Sequence, residues 1–167
     1  MDTSKYSKYI ELALERGAVE AKIIEASSIK TASWPRLKCQ YGCPNFGASL
    51  CCPPHSPTAE EMRRAIDEYS IALLARFTSS EGVNKIPQIE RDIFLDGRYK
   101  AFGLKAGGCG LCPKCNLEKC IHPLEARPGM EAVGIDVYET VRKNGFSLDV
   151  VKSKKEPYSY FGLVLIE

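Results

Sequence analysis

Cysteine thiolates are metal ligands, and four fall within one short run, Cys109, Cys112, Cys115 and Cys120, spaced C-x2-C-x2-C-x4-C. Thiolates at three-residue steps converge on one compact inorganic core when the chain wraps around it. Gly107, Gly108 and Gly110 let the backbone come close and aim N–H groups at sulfur. The bacterial ferredoxin run is C-x2-C-x2-C-x3-C-P; here the last gap is one residue longer, and Pro123 stands three places beyond Cys120. The spacing points to an iron–sulfur cluster.

A second group reads Cys39-x3-Cys43-x7-Cys51-Cys52. Side chains of adjacent cysteines tend to diverge, so three ligands are expected here: Cys39, Cys43 and Cys52, the last stiffened by Pro53-Pro54. Cys51 reads as a bystander packed as a small apolar residue. A cubane held by three cysteines leaves one iron open to an outside ligand, a substrate or a thiolate from the other loop. Ferredoxin loops exchange ligands in this way, so Cys120 can complete the first site while a first-loop cysteine completes the second. One or two [4Fe–4S] clusters are expected on Cys39, Cys43, Cys52, Cys109, Cys112, Cys115 and Cys120.

Zinc is the rival metal. Structural zinc takes four thiolates tetrahedrally, usually from two C-x2-C pairs with a long spacer. Three cysteines repeating at a single interval in one loop suit a four-iron face better than two zinc knuckles. Lys38, Lys105, Lys114 and Lys119 flank the cysteines and would temper the negative charge of a thiolate-bound cluster. His55 and His122 adjoin the cysteine groups, with loop packing as the plainer role for each. Arg127, Glu131 and Asp136 follow the second loop and can line a pocket, although Asp136 is already accounted for as a helix cap.

The elements that must carry these residues can be read from periodicity. Tyr6, Ile10, Ala13 and Leu14 predict an opening helix that stops at Gly17, and Val19–Ala26 suits a strand with one covered face. Trp34–Pro57 loses periodicity and fills with Pro and Gly, which predicts a rigid loop. Thr58 with Glu61 forms a capping box ahead of Met62, Ala65, Ile66 and Tyr69. Ile71–Phe77 reads as a central strand covered on both faces. Strand, helix, strand in that order predicts a parallel crossover between the strands near Val19 and Ile71. Ile86, Ile89, Ile93 and Phe94 mark another helix, extendable past Gly97 toward Leu104. Pro128 can open a short helix through Met130 and Ala132, and Asp136 with Glu139 caps another that ends at Gly145. Phe146, Leu148 and Val150 alternate and, with Phe161–Ile166, predict an antiparallel hairpin closing the sheet. The expected frame is one mixed α/β domain over residues 1–167, with a small sheet of about four strands. Two long cysteine-rich loops, 34–57 and 106–127, are inserted in it.

Composition bounds the function classes. A net charge of +2 gives no push toward nucleic acid or an anionic membrane, and Lys152–Lys155 reads as a solvated turn. Eight cysteines in 167 residues lie below the roughly 8–10% of disulfide scaffolds. Met1–Lys8 is polar, and no apolar run nears the roughly 20 residues of a membrane span. A cytosolic chain with reduced thiols is the expectation.

The blocks Lys38-Cys39-Gln40-Tyr41-Gly42-Cys43, Cys52-Pro53-Pro54 and Ser56-Pro57-Thr58 resemble a family of predicted metal-binding proteins, the domain of unknown function 2284. The second cysteine loop and Arg127–Val137 look like its other shared block. The resemblance implies a cytosolic metal or iron–sulfur protein, and its pattern places no cysteine at position 51. It supplies no reaction. The leading expectation is a cytosolic iron–sulfur protein passing electrons, on its own or to a redox partner protein; no G-x-G-x-x-G or P-loop sequence appears. One alternative is an enzyme of dehydratase or desulfidase type, in which an open iron acts on a small substrate with Glu131, Arg127 and His55 around it. The other is a binding module whose loops zinc staples together. The sequence carries no oligomer signal.

Overall fold

The computed structural model describes residues 4–153 and 155–167. Of the sequence expectations, part of the polar opening (Met1–Thr3) and Lys154 of the lysine turn lie outside the described residues; Lys152 and Lys155 are exposed.

The architecture is mixed α/β, centred on one four-stranded antiparallel sheet of order β1-β2-β4-β3. Helix α1 (Ser7–Glu15) opens the chain, and strand β1 (Glu20–Glu25) follows. Helices α2 (Trp34–Gly42) and α3 (Ala59–Ile66) precede β2 (Ile71–Phe77). Then come α4 (Ser80–Val83), α5 (Ile86–Leu95) and β3 (Phe102–Leu104), and beyond the second cysteine loop α6 (Val137–Lys143) and β4 (Tyr160–Leu165).

Strand β2 is covered on both faces, and its alternation builds the two cores. Leu73, Ala75 and Phe77 pack with Tyr6, with Tyr9 and Ala13 of α1 and with Ile86, Ile89 and Ile93 of α5. Ala72 and Leu74 face the other way, onto Met62 and Ile66 of α3 and Val137 and Val141 of α6. The Thr58–Glu61 capping box starts α3, and the Asp136 carboxylate accepts from Glu139 N–H to start α6.

Four elements depart from expectation. Strands β1 and β2 are antiparallel, with Glu25 opposite Ile71 and Glu20 opposite Arg76. The excursion through α2 and α3 returns to the end of the sheet that β1 left, where Ala26 N–H donates to Ser70 C=O (2.9 Å). So long a connection can close on one end as a wide hairpin, and no crossover is imposed. Helix α2 lies inside the segment read as loop: only Pro35 of its nine residues is buried, so there was no apolar stripe to read. Helix α5 ends at Leu95, and Gly97 at φ 94° turns the chain into β3, paired with β4. Residues 146–150 form no strand; Phe146 instead packs edge-on against Phe161, and β4 lies inside the sheet between β2 and β3.

Candidate metal centre

Three backbone junctions bring the cysteine segments together at residues 128–136. Lys105 N–H donates to Pro128 C=O and Met130 N–H to Lys105 C=O (3.0 and 2.8 Å), closing the second loop at its base. The fit there is tight: a Cβ on Gly129 would lie 2.7 Å from the Gly107 carbonyl oxygen. Ala32 N–H donates to Gly134 C=O, and Asp136 N–H to Lys30 C=O (each 2.8 Å), which pins the chain just before the first loop. A single carbonyl makes the third junction. Ala132 C=O accepts from Arg36 Nη1 (2.8 Å) on α2 and from Ser56 Oγ (2.7 Å) beyond Cys52.

All eight cysteines are free thiols. Cys39 lies on α2 and Cys43 caps it, so their i, i+4 spacing puts both on one helix face. Cys52 is 7% exposed and within electrostatic reach of Cys39. Burial first, then Cys43, Glu131 and Cys52, raise the Cys39 thiol pKa, with Arg36 opposing. Cys39 and Cys43 border a cavity of about 450 Å³ lined also by Trp34, Glu131, Tyr138 and Tyr160. Glu131 keeps some exposed surface as a residue, but its carboxyl group is packed round by protein, and this burial pushes its pKa up.

Cys109, Cys112, Cys115 and Cys120 border a second cavity of about 350 Å³. Burial and then the neighbours Cys115, Cys109 and Cys120 push the Cys112 thiol up. Cys120 therefore sits with its own loop, and the first cavity is lined without it. Cys51 is the surprise. It lines the second cavity and hydrogen-bonds with Cys109, and burial with the charge of Cys109 pushes its thiol up to about 12. Its neighbour Cys52 lines the second cavity too and not the first, while lying within electrostatic reach of Cys39.

Lys105 is the buried cation of the assembly, at 5% exposure. Its ammonium donates to Asn84 Oδ1 (2.8 Å) and Cys109 C=O (2.9 Å). Burial lowers its pKa, while Cys109, Cys51 and Cys52 act in the opposite sense, so it is the flanking lysine within reach of both groups. Lys38 lines the first cavity and Lys114 the second.

The pocket roles read for Arg127 and His55 are not met. Arg127 is committed to Glu90 through two hydrogen bonds of 2.5 Å, and His55 is exposed outside the first cavity. His122 lines the second cavity. Among the described residues, no three His, Cys, Asp or Glu side chains draw together tightly enough for a single metal ion. Among them, too, no helix is long and apolar enough to cross a membrane.

The family model of the predicted metal-binding protein DUF2284 matches in two segments, residues 22–85 and 80–166, which take in both cysteine groups and the junction at 128–136. The chain belongs to this family. No curated protein and no solved structure matches it. The donor set fits the family's description: within this DUF2284 chain two pockets are walled by unpaired sulfur donors, with the buried Lys105 within reach of Cys109, Cys51 and Cys52. Thiolates select soft or borderline metals such as iron–sulfur clusters and zinc over magnesium or calcium.

Proposed function

We propose that this protein is a cytosolic iron–sulfur protein that carries [4Fe–4S] clusters and exchanges electrons with a redox partner protein. The observation that carries this reading is the second cavity, of about 350 Å³, with all four thiols of the C-x2-C-x2-C-x4-C run on its wall. Cys109, Cys112, Cys115 and Cys120 would hold one cluster; Cys39, Cys43 and Cys52 would supply thiolates to another. Bound there, a cluster supplies one-electron chemistry at a potential set by its charge, its hydrogen bonds and its exposure.

Donor spacing supports iron–sulfur over zinc. Structural zinc usually draws its four thiolates from two C-x2-C pairs, whereas Cys109, Cys112 and Cys115 repeat at a single interval in one loop. Lys105 offsets thiolate charge at Cys109, Cys51 and Cys52, which favours the reduced, more negative state of a cluster held there.

The first group also supports a second reading, because a cavity of about 450 Å³ opens beside Cys39 and Cys43. An iron held there by three thiolates would act as a Lewis acid on a small substrate, as in dehydratases or desulfidases. Isolation under strictly anaerobic conditions, with iron, sulfide and zinc content and electron paramagnetic resonance of the reduced protein, tests both readings. Iron and sulfide in equal amounts are expected. Stoichiometric zinc without sulfide would overturn both in favour of a zinc-stapled module.

A further inference from the structure

We propose that the cavity beside Cys39 and Cys43 binds a small organic cation, a primary ammonium on an apolar body, with Glu131 as its anionic partner. The cavity holds about 450 Å³, within the range of roughly 300–1,000 Å³ usual for small-molecule sites. Trp34, Tyr138, Tyr160 and Phe161 give it aromatic walls, and Glu131 is the one acidic residue that lines it. Such a site goes beyond electron transfer and stands whichever metal the thiols hold.

Glu131 is held in place from both sides. Met130 N–H donates to Lys105 C=O (2.8 Å), and Ala132 C=O accepts from Arg36 Nη1 (2.8 Å) and Ser56 Oγ (2.7 Å). Gly134, at φ 80°, then turns the chain away. The short turn Glu131–Val133 between these anchors keeps the carboxyl group enclosed at the cavity wall.

That carboxyl group lacks a countercharge. Among the described residues no Lys, Arg or His pairs with Glu131, and Lys38, which also lines the cavity, is exposed and pairs with no carboxylate. The nearby Arg36 guanidinium spends its Nη1 on neutral acceptors: the Ser56, Pro57 and Ala132 carbonyls and Ser56 Oγ. An enclosed carboxylate without a cation is costly, and a bound ammonium relieves it while donating N–H bonds to its oxygens. The rings add to this preference, because a cation is attracted to the faces of Trp and Tyr. Trp34 is preset for that role: its Nε1 donates to Asp136 Oδ2 (3.0 Å), which fixes the indole at the cavity wall. Ile135, Val137 and Phe161, all buried, line the same cavity and suit an apolar body behind the charged head.

The test uses the full chain, isolated anaerobically, and three probes that share one body: phenethylamine (a cation at neutral pH), phenethyl alcohol and phenylacetate. Calorimetry measures their affinities, and the fluorescence of Trp34, the single tryptophan of the chain, reports whether the cavity is occupied. The amine is expected to bind and shift Trp34 emission, with an affinity roughly tenfold or more above that of the alcohol, and the carboxylate is expected to bind weakest. Glu131→Gln should lose the preference for the amine while holding the alcohol as native protein does. Equal affinity of native protein for amine and alcohol overturns the assignment, and so does the absence of binding by any probe. A native preference retained in Glu131→Gln, or amine binding that leaves Trp34 emission unmoved, overturns it as well. If circular dichroism shows Glu131→Gln unfolded, Tyr160→Leu decides: a loss of roughly threefold or more in amine affinity supports the site, and native affinity overturns it.

Discussion

The ion pair between Arg127 and Glu90 offers the most direct test of how the second cysteine loop is anchored. Both side chains are nearly enclosed, at 13% and 11% exposure. Arg127 Nε and Nη2 each donate to a different Glu90 oxygen, while Nη1 donates to Pro123 C=O (3.1 Å) and Ala126 C=O (2.8 Å). Glu90 Oε2 accepts in addition from Gly103 N–H on β3 (2.7 Å). One guanidinium therefore fastens the end of the cysteine loop to α5 and, through Glu90, to the sheet. Substituting Arg127→Met keeps the aliphatic stem but removes the guanidinium that lies over the Phe102 ring and leaves a buried carboxylate unpaired. Removing one partner of a buried pair costs roughly 3–5 kcal/mol; since this pair keeps slight exposure, the lower end applies, about 3 kcal/mol. With a urea m-value of about 2 kcal/mol/M, the unfolding midpoint falls by about 1.5 M. Anaerobic urea titration followed by circular dichroism measures it. Adding Glu90→Gln removes the stranded charge while keeping an acceptor for Gly103 N–H, so the double variant should regain about 2 kcal/mol. An Arg127→Met midpoint within about 0.3 M of native, equivalent to well under 1 kcal/mol, would refute the anchoring role.

Three further outcomes follow from named contacts. On the proposed iron–sulfur reading, and with the Cys51 thiol hydrogen-bonded to Cys109, Cys51→Ala should keep full iron content but lower the midpoint potential of the second centre, by roughly 40 mV if the hydrogen bond favours the reduced state by on the order of 1 kcal/mol; protein-film voltammetry measures this, and iron loss would instead make Cys51 a ligand. Gly134→Ala should destabilise by at least about 2 kcal/mol in the same urea titration, because φ is 80° and the added Cβ would lie 2.5 Å from Ala59 Cβ. Hydrogen bonds from Lys8 and Tyr9 depress the Asp96 pKa, and those from Tyr6 and Lys5 depress that of Glu167. Their contribution is present above the ordinary carboxylate range and is lost as pH falls through the lowered folded values, so Asp96→Asn with Glu167→Gln should flatten the fall in urea midpoint below about pH 4.

Much of the frame is legible without coordinates, since its signals are local. The stripe Tyr6, Ile10 and Ala13, the Thr58–Glu61 box and the unbroken Ile71–Phe77 run report on their own neighbours, and α1, α3 and β2 follow from them. Helix α2 leaves no periodic signal because its outward residues Trp34, Leu37 and Tyr41 are apolar yet exposed, which erases the stripe that periodicity detects. For β3, the three residues Phe102–Leu104 are too few to show alternation, and Gly103 is there because a Cβ would meet Ile86 Cγ2 at 2.8 Å.

The thiol inventory, its grouping into two runs and the chemistry of sulfur donors are properties of composition and spacing, and the sequence by itself determined them. Pairing direction and the partition of side chains between sites belong to tertiary structure. Whether β1 and β2 run antiparallel depends on which end of the sheet a long excursion returns to, and no residue within either strand encodes that. The same holds at the centre: Cys51 and Cys52 belong to the first run in sequence, yet both line the cavity of the second, with Cys51 beside Cys109. Arg127 is claimed by Glu90 from α5, while Glu131 lies within electrostatic reach of Cys39. Contacts between groups remote in sequence are set by how whole elements pack, and packing is a long-range property that residue spacing does not contain.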